Sequence, residues 1–424
     1  MKNQDLTMPV PKSDYLNVLM ERGLLYQCTN LEALDQALTG SRIAAYIGFD
    51  CTSNSLHIGS LLQIIMLRWL QKTGNKPIVL IGGGTSKIGD PSFKFNKRKL
   101  LSEEEICNNK LNIKNILNKY LSLSAASHNL IMVDNAEWLD KLEYIKFLRD
   151  YGSYISVNQM LGFESVKLRL DREYSLSFLE FNYSILQAYD FLELYRRYGC
   201  VLQMGGSDQW GNIVHGVKLI RRVNDNKVYG LTSPLISSSS GAKMGKTTKG
   251  AVWLNEEKLS VYNFWQYWRN IKDADVIRFL KLFTEIPLDE VSRLAVLGGA
   301  EINEAKKILA NEVTRMCHGQ IAANAAAEIS HCTFDVGAIS EGLPKVDIDR
   351  RKIEAGLSVV NAIVYAGLAS SKSAARRLIR AGGARINNAT ILNESAIIAG
   401  KEINNAGFVK ISAGKKLHAL LQAV

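Results

Sequence analysis

Short apolar runs of strand length alternate with helix-length amphipathic stretches through the first 240 residues of this 424-residue chain. Each run is followed by a turn that contains Gly, Ser or Asp, and then by a helical stretch. The clearest runs are residues 43–49, 77–81, 130–133 and 201–204. This alternation predicts βαβ units around a parallel sheet, which is an α/β fold.

The alternation stops at a polar stretch of serines and a glycine, residues 237–241. Helical patterns follow, with the stretches 261–268 and 321–329 among them, and then a segment with a Gly, a Pro and scattered charges that is typical of a linker. The predicted parts are an α/β domain over 1–240, a connecting loop over 241–254, a helical domain over 255–331, a linker over 332–350 and a small α+β domain over 351–424.

Positive charge is concentrated in the last of these parts. The chain has 52 Lys and Arg against 41 Asp and Glu, and residues 351–424 contain 11 of the basic residues but only 3 of the acidic ones. This surplus predicts a module that binds a polyanion. Arg376, Arg377 and Arg380 share one helix face, because residues three and four apart are neighbours on a helix. A merely solvated basic helix is the alternative.

The remaining composition excludes other classes of protein. No secretory signal is visible near the start, and the longest uncharged runs are too short or too polar to span a bilayer. Six cysteines without a dense pattern fit the reducing cytoplasm. The neighbouring pairs Cys317-His318 and His331-Cys332 lack the spacing of zinc ligands, so we expect no metal site.

The first chemically informative segment is residues 46–60, where a strand ends and a helix opens near Leu56. His57 and Gly59 are predicted in the first helical turn, at the end of the sheet where phosphates bind to helix N-termini. His57 can donate to a phosphate oxygen, and Gly59 leaves room for an adenine ring. Taken alone, an ordinary helix start explains these residues equally well.

The second segment, residues 81–91, contains three glycines after a strand. Such a run lets backbone approach a ligand closely, but its spacing matches neither a dinucleotide fingerprint nor a P-loop. Asp90 is either a turn residue or the counter-ion of a substrate amine.

The third segment, residues 241–247, nearly matches a P-loop, but Ser240 stands where its first glycine belongs. Lys243 and Lys246 remain, three residues apart in a loop. They are suited to stabilising charge that develops on a phosphate, or they belong to a solvated basic loop.

Together, a His-Ile-Gly helix start after the first strand and a Lys-Met-x-Lys-Thr loop after the last resemble the paired motifs of class I aminoacyl-tRNA synthetases. Residues 183–190 and 203–212 narrow the resemblance to the bacterial-type tyrosyl-tRNA synthetases, over essentially the whole chain. The resemblance implies a Rossmann-like catalytic domain, a helical anticodon-recognition domain and an S4-like RNA-binding tail. One departure is Ser60, where the usual motif has a second histidine.

The resemblance also implies roles for individual residues. For L-tyrosine, it assigns the phenolic hydroxyl to Tyr46 and Asp190, the ammonium to Asp90, Tyr183 and Gln187, and the tyrosine and its carboxylate to Gln203 and Gln209. For ATP, it assigns binding to Gly48, Asp50, His57, Gly59, Asp208 and Lys246, and catalysis to Thr52, His57, Lys243 and Lys246. For RNA, it assigns binding to Arg376, Arg377 and Arg380. Asn135 and Trp138 fit the pattern as well, although Trp138 is equally explained by packing at a helix start.

The implied reaction is activation of L-tyrosine by ATP to tyrosyl-adenylate and pyrophosphate, followed by transfer of tyrosine to the 3′ end of tRNA(Tyr). The resemblance also implies that ATP is a co-substrate with Mg²⁺, that no cofactor is tightly bound, and that the protein is a cytoplasmic homodimer. Two alternatives stay open. One is a tryptophanyl-type synthetase, against which the polar pair Tyr46 and Asp190 argues, and the other is a non-catalytic RNA-binding protein with a synthetase body.

Overall fold

A computed structural model describes residues 10–91, 100–121, 130–239, 244, 246–247, 250–334, 343–404, 407–414 and 417–424. The chain forms two compact units. The first unit is Met1–Gly245 with Lys281–Phe283, and the second is Lys246–Leu280 with Thr284–Val424. None of the described helices is long and apolar enough to cross a membrane.

The described part of the first unit contains one six-stranded sheet in the order β1-β6-β5-β2-β3-β4. Its strands are β1 (Gln27–Cys28), β2 (Ala44–Asp50), β3 (Lys76–Gly82), β4 (Ile131–Asp134), β5 (Cys200–Gly206) and β6 (Tyr229–Ser233). Strands β2 to β6 are parallel and β1 is antiparallel to β6. The parallel sheet is therefore confirmed, and each predicted run is one of its strands.

Helices connect these strands in the predicted alternation. They are α1 (Asp14–Glu21), α2 (Leu31–Gly40), α3 (Ile58–Lys72), α4 (Glu103–Leu121), α5 (Ala136–Leu139), α6 (Tyr144–Tyr151), α7 (Val157–Leu161), α8 (Glu164–Asp171), α9 (Phe178–Tyr198) and α10 (Trp210–Asn224). Side chains alternate between the two faces of a strand, so Ala44 and Tyr46 of β2 share one face. They pack in one buried cluster with Ala188 and Phe191 of α9. This packing holds α9 against the centre of the sheet.

The second unit begins with the short strands β7 (Lys246–Thr247) and β8 (Gly250–Ala251) and continues with helices. The helices that follow are α11 (Val261–Arg269), α12 (Asp273–Phe283), α13 (Leu288–Leu294), α14 (Ile302–His318) and α15 (Gln320–Phe334), and the last three residues of α12 are grouped with the first unit. The helices predicted at 261–268 and 321–329 are therefore confirmed.

A mixed α/β region follows. Its elements are β9 (Lys345–Ile348), α16 (Arg350–Glu354), β10 (Leu357–Ser358), α17 (Val359–Tyr365), α18 (Lys372–Arg380), β11 (Ala384–Ile386), β12 (Ala389–Ile391), β13 (Ile397–Ile398), β14 (Phe408–Ala413) and β15 (Leu417–Ala423). Five strands form a sheet in the order β12-β11-β14-β15-β9, and β10 pairs with β13. Ile363, Ile379 and Val409 lie in its buried core.

The linker predicted over 332–350 is wrong at both ends. Helix α15 continues to Phe334, and β9 pairs in parallel with β15 at the edge of the last sheet. In β9 charged and apolar residues alternate, as expected of an edge strand with one solvent-facing side. Its partner lies 75 residues further along the chain, so no local pattern reveals the pairing.

Candidate active site

Open space lies above the carboxyl end of the central strand β2. Gly48 is exposed although it belongs to this strand, and a Cβ atom built on it meets no described atom within 4 Å. Tyr46 and Asp50, two residues before and after Gly48, face the same side of the sheet. In parallel sheets, ligands bind at this edge. The residues around Gly48 therefore define a candidate ligand site.

The Tyr46 hydroxyl at the base of this space is a buried polar group in need of a partner. Tyr46 is 1% exposed, and its hydroxyl has no hydrogen-bond partner among the described residues. Gln203 lies opposite Tyr46 in the β2–β5 register, is also buried, and its Oε1 is likewise unsatisfied within the described structure. Because an unpaired buried polar group costs about 1–3 kcal/mol, this position favours a ligand with a polar end.

Asp190 of α9 lies close to this hydroxyl. It is 2% exposed, and its carboxylate accepts hydrogen bonds from Trp138 Nε1 at 2.7 Å and Asn135 Nδ2 at 2.9 Å. Burial raises the pKa of Asp190 to about 8, although both hydrogen bonds lower it. Burial and the nearby Asp190 carboxyl also raise the pKa of Tyr46. Trp138 thus holds a predicted site residue, beyond any role in packing.

Asp50 connects this end of the site to Tyr183. Its carboxylate accepts hydrogen bonds from Tyr183 Oη at 2.9 Å and from Thr85 Oγ1 at 2.8 Å. Thr85 Oγ1 in turn accepts from Asn135 Nδ2 at 3.0 Å. A continuous hydrogen-bonded chain therefore runs from Tyr183 through Asp50, Thr85 and Asn135 to Asp190. Thr85 was not predicted, and its place directly after a glycine run at a strand end is the only local signal for it.

The glycine run that begins with Gly82, the last residue of β3, makes room for side chains of the protein, whereas the sequence suggested room for a ligand. A Cβ atom at Gly82 would lie 2.3 Å from Asp50 Oδ1, and one at Gly83 would lie 2.3 Å from Asp134 Oδ1. Neither distance is possible without displacing a carboxylate. The glycine run is thus explained by side chains of the protein itself, which are distant in sequence.

A second hydrogen-bonded group joins three other predicted residues. Gln209 Nε2 donates to Asp90 Oδ2 at 2.7 Å, and Asn212 Nδ2 donates to Gln209 Oε1 at 3.2 Å and to Gln187 Oε1 at 3.0 Å. Burial and the carboxylates of Asp50 and Asp90 raise the pKa of Tyr183. This negative environment suits an ammonium group. Asn212 had been assigned no role from the sequence.

His57 lies one residue before α3, outside the first turn in which it was predicted. It is the N-cap residue, and its Nδ1 accepts from the Gly59 backbone N–H at 3.0 Å. The neutral imidazole therefore carries its proton on Nε2, the nitrogen suited to donate to a phosphate. A Cβ atom at Gly59 would lie 2.7 Å from His57 Cε1. Gly59 thus makes room for the capping histidine, a reason that differs from the one predicted.

The remaining predicted residues are placed as follows. Thr52 is exposed and lies beyond the end of β2. Asp208 follows β5, and its Oδ1 would lie 2.5 Å from a Cβ atom built on Gly206. Lys243 lies outside the described residues, and Lys246 is described only as the first residue of β7. Across the described residues, no group of three or more His, Cys, Asp or Glu side chains is arranged to hold a metal ion.

In the second unit, α18 presents Arg376, Arg377 and Arg380 to solvent. The helix begins after Ser371, whose side chain accepts from the Ala374 N–H at 3.2 Å, and Ile379 is buried beneath it. The shared exposed face of the three arginines agrees with the predicted helix. The contact of Arg376 and Arg380 with an acidic side chain, Glu394, was not predicted.

The chain is similar to proteins of known class over its whole length. Residues 38–335 match the family described as "tRNA synthetases class I (W and Y)", and residues 335–421 match the "Tyrosine--tRNA ligase SYY-like C-terminal domain". The tyrosine-tRNA ligase of Methylocella silvestris is 57% identical over 414 residues, covering 98% of this chain and 99% of that protein. That of Zymomonas mobilis is 58% identical over 412 residues, covering 97% and 99%.

A solved structure is similar over about three quarters of the chain. It is the C-terminally truncated mitochondrial tyrosyl-tRNA synthetase of Aspergillus nidulans, with a TM-score of 0.68 and 29% sequence identity. The similarity covers 76% of this chain and 94% of that one.

Proposed function

The chain belongs to the tyrosine-tRNA ligases within the class I aminoacyl-tRNA synthetases, and from this we propose how its own residues perform the two steps of the reaction. In the first step, the carboxylate of L-tyrosine attacks the α-phosphorus of ATP and expels pyrophosphate. In the second, a hydroxyl of the tRNA 3′-terminal adenosine takes the tyrosyl group. Of the two alternatives, the tryptophanyl type and the non-catalytic protein, neither agrees with the curated relatives, which are tyrosine-tRNA ligases.

Tyr46 and Asp190 bind the phenolic hydroxyl of the substrate. The observation that carries this proposal is the buried Tyr46 hydroxyl, which lacks a partner in the described protein and lies near the Asp190 carboxyl. A phenol satisfies both groups, since it accepts one hydrogen bond and donates another. Phenylalanine leaves the buried Tyr46 hydroxyl without a partner and forms no hydrogen bond with Asp190, and it is rejected for that reason.

The other end of L-tyrosine lies against the second hydrogen-bonded group. Asp90 supplies the negative charge for the ammonium, and Gln187 and Tyr183 orient it. Gln209 holds Asp90 in place at 2.7 Å, and Gln203 lines the bound amino acid. Because these groups are already connected before substrate arrives, they position the carboxylate for attack with little reorganisation.

Catalysis consists of positioning and of charge stabilisation on the transferring phosphate. His57 donates from Nε2, and Thr52, Lys243 and Lys246 contribute hydrogen bonds and positive charge. Asp208 binds the ribose, Asp50 flanks the nucleotide, and Gly48 and Gly59 leave room for it. Mg²⁺ arrives with ATP and is held mainly by phosphate oxygens, which suits an ion that keeps most of its water and needs few protein carboxylates.

The chain acts as a homodimer through a patch on α6 to α9. Large apolar side chains are unusually exposed there, and Ile145 is 74% exposed. The patch consists of Tyr144, Ile145, Leu148, Val157, Leu161, Leu170, Tyr174, Phe178 and Leu179. Exposed apolar surface of this extent indicates an interface. Ile145→Glu should produce monomers in sedimentation at micromolar concentration. Val296→Glu, at an apolar position outside the patch that is 82% exposed, should leave the dimer intact. An unchanged dimer with Ile145→Glu contradicts this interface.

In the cell, the protein acts in the cytoplasm on tRNA(Tyr), which α18 binds through Arg376, Arg377 and Arg380. The five cysteines whose side chains are described are all free, which fits a reducing compartment.

Tyrosine-dependent exchange of pyrophosphate into ATP tests the phenol assignment. Tyr46→Phe removes only the hydroxyl, so discrimination between tyrosine and phenylalanine should fall. Tyr15→Phe is the matched control, since it deletes a buried hydroxyl that bonds Met66 O and Met204 Sδ, outside the site. Equal discrimination in the unsubstituted chain and Tyr46→Phe would falsify the assignment.

A further inference from the structure

One acidic residue lies directly against the basic helix α18. Residues 351–424 contain only three acidic residues. Glu354 pairs with Arg350 at 2.9 Å, and Glu402 accepts from the Ala399 backbone N–H at 2.8 Å. Glu394 instead contacts two of the three arginines to which RNA binding is assigned. The position of Glu394 therefore bears on how the arginines of α18 bind RNA.

Glu394 uses both carboxylate oxygens in these contacts. Arg380 Nε donates to Oε1, and Arg376 Nε lies 3.7 Å from Oε2. The two arginines are one helical turn apart, so their guanidinium groups converge on one anionic group. Within the described residues, Arg377 has no ion pair of this kind. The arrangement places a carboxylate where two arginines would hold a phosphate.

The loop between β12 and β13 holds this carboxylate in place. Asn393 Oδ1 accepts from the Ser395 N–H at 2.9 Å, and the Ala396 N–H donates to the Asn393 carbonyl at 3.2 Å. The next residues enter β13, which pairs with β10. The side chain of Glu394 is 26% exposed, against 51% for Arg376 and 69% for Arg380. The loop thus holds Glu394 against α18, while Arg376 and Arg380 stay open to solvent.

Stability is a weak reason for such a contact, because exposed ion pairs contribute little to it. The electrostatic effect on RNA is larger, since phosphate contacts dominate affinity for nucleic acids. We propose that Glu394 occupies the position of an RNA backbone phosphate on α18 and competes with RNA for Arg376 and Arg380. This inference rests on the proposed role of α18 in binding tRNA.

Such competition favours selective binding. RNA that touches only this helix must displace the carboxylate without compensation, whereas tRNA(Tyr) makes further contacts with the enzyme that offset the loss. An interface gains specificity when contacts are arranged against wrong partners as well as for the right one. Glu394 is thus a specificity-determining residue for RNA.

The test measures binding of labelled tRNA(Tyr) and of an unrelated tRNA to the full chain by fluorescence anisotropy over a range of salt concentrations. Glu394→Gln should tighten both, by about two- to five-fold at low salt, the range that one exposed ion pair corresponds to. The unrelated tRNA should gain more, and the salt dependence should steepen, because more cation charge is available to phosphate. Glu354→Gln is the matched control, since it removes one charge from the same region without freeing α18.

Three outcomes overturn the inference. If Glu394→Gln binds RNA equally or more weakly, the carboxylate positions the arginines and does not compete. If Glu354→Gln tightens binding as much, net charge alone is responsible. If Arg377→Ala leaves RNA binding unchanged, α18 does not bind RNA, and the proposed role of α18 in tRNA binding fails together with this inference. If Arg377→Ala weakens RNA binding, the role of α18 stands whatever the result for Glu394→Gln. Unchanged thermal unfolding midpoints confirm that each variant is folded.

Discussion

The buried carboxyl of Asp190 predicts that tyrosine binding depends on pH. Burial raises its pKa to about 8, and in the proposed role the ionised form accepts the hydrogen bond from the phenol. The ionised fraction therefore increases as pH rises through 8. With this pKa, Asp190 is ionised in about 1% of the protein molecules at pH 6 and in about half of them at pH 8. The Kd for tyrosine should fall about 50-fold between these values, because only the competent fraction binds.

Equilibrium dialysis of labelled L-tyrosine from pH 6 to pH 8, without ATP, measures this directly. Asp190→Asn is the control, since an amide accepts a hydrogen bond at every pH and should bind tyrosine with a flat profile. Titration of the substrate ammonium affects both proteins alike. A Kd that is constant over this range in the unsubstituted chain would refute the reasoning, because the hydrogen bonds from Trp138 and Asn135 would then keep Asp190 ionised throughout.

Three further predictions separate fold from function. Gly82→Ala should lower the free energy of unfolding by about 1–3 kcal/mol and raise the KM for tyrosine, because its Cβ atom displaces Asp50. Gly48→Ala should keep the melting temperature but weaken ATP binding. The reverse pattern, in which Gly48→Ala lowers stability and Gly82→Ala weakens only ATP binding, contradicts both roles. Lys246→Ala should slow adenylate formation on the order of 100-fold in single-turnover kinetics with tyrosine affinity nearly intact, so a large loss of affinity argues against transition-state stabilisation. Deleting residues 335–424, a cut that removes β9 with its sheet, should spare pyrophosphate exchange and weaken tRNA binding, and equal loss of both indicates a structural role for the tail.

The parallel sheet was predictable because its central strands are covered on both faces. Such strands are continuous apolar runs, as at β2 and β3, and these can be identified from the sequence alone. The edge strand β1 was missed because it is two residues long, and β9 was missed because its charged and apolar residues alternate, unlike the apolar run of β4. Both β1 and β9 depend on partners far along the chain. Length and local pattern carry no information about such pairings.

The site was predictable in its residue types and less so in its connections. Family motifs indicated Asp50, Asn135 and Asp190 separately, yet their link through Thr85 requires four segments that meet only in the folded chain. Gly82 and Gly59 were predicted to leave room for a ligand, but the side chains that a Cβ atom at these positions would meet first are those of Asp50 and His57. Spacing cannot reveal which atoms a missing side chain would have met.

The hydrogen-bonded chain from Tyr183 to Asp190 limits how this enzyme can be given a new substrate. A substitution at residue 190 that admits a different side chain also removes a partner of Asn135, and through Thr85 the change reaches Asp50 and Tyr183. Residues in one network are coupled, so the effects of their substitutions do not add. Variants selected for an altered amino acid should therefore carry compensating changes along this chain, and single substitutions in the pocket should trade selectivity for rate.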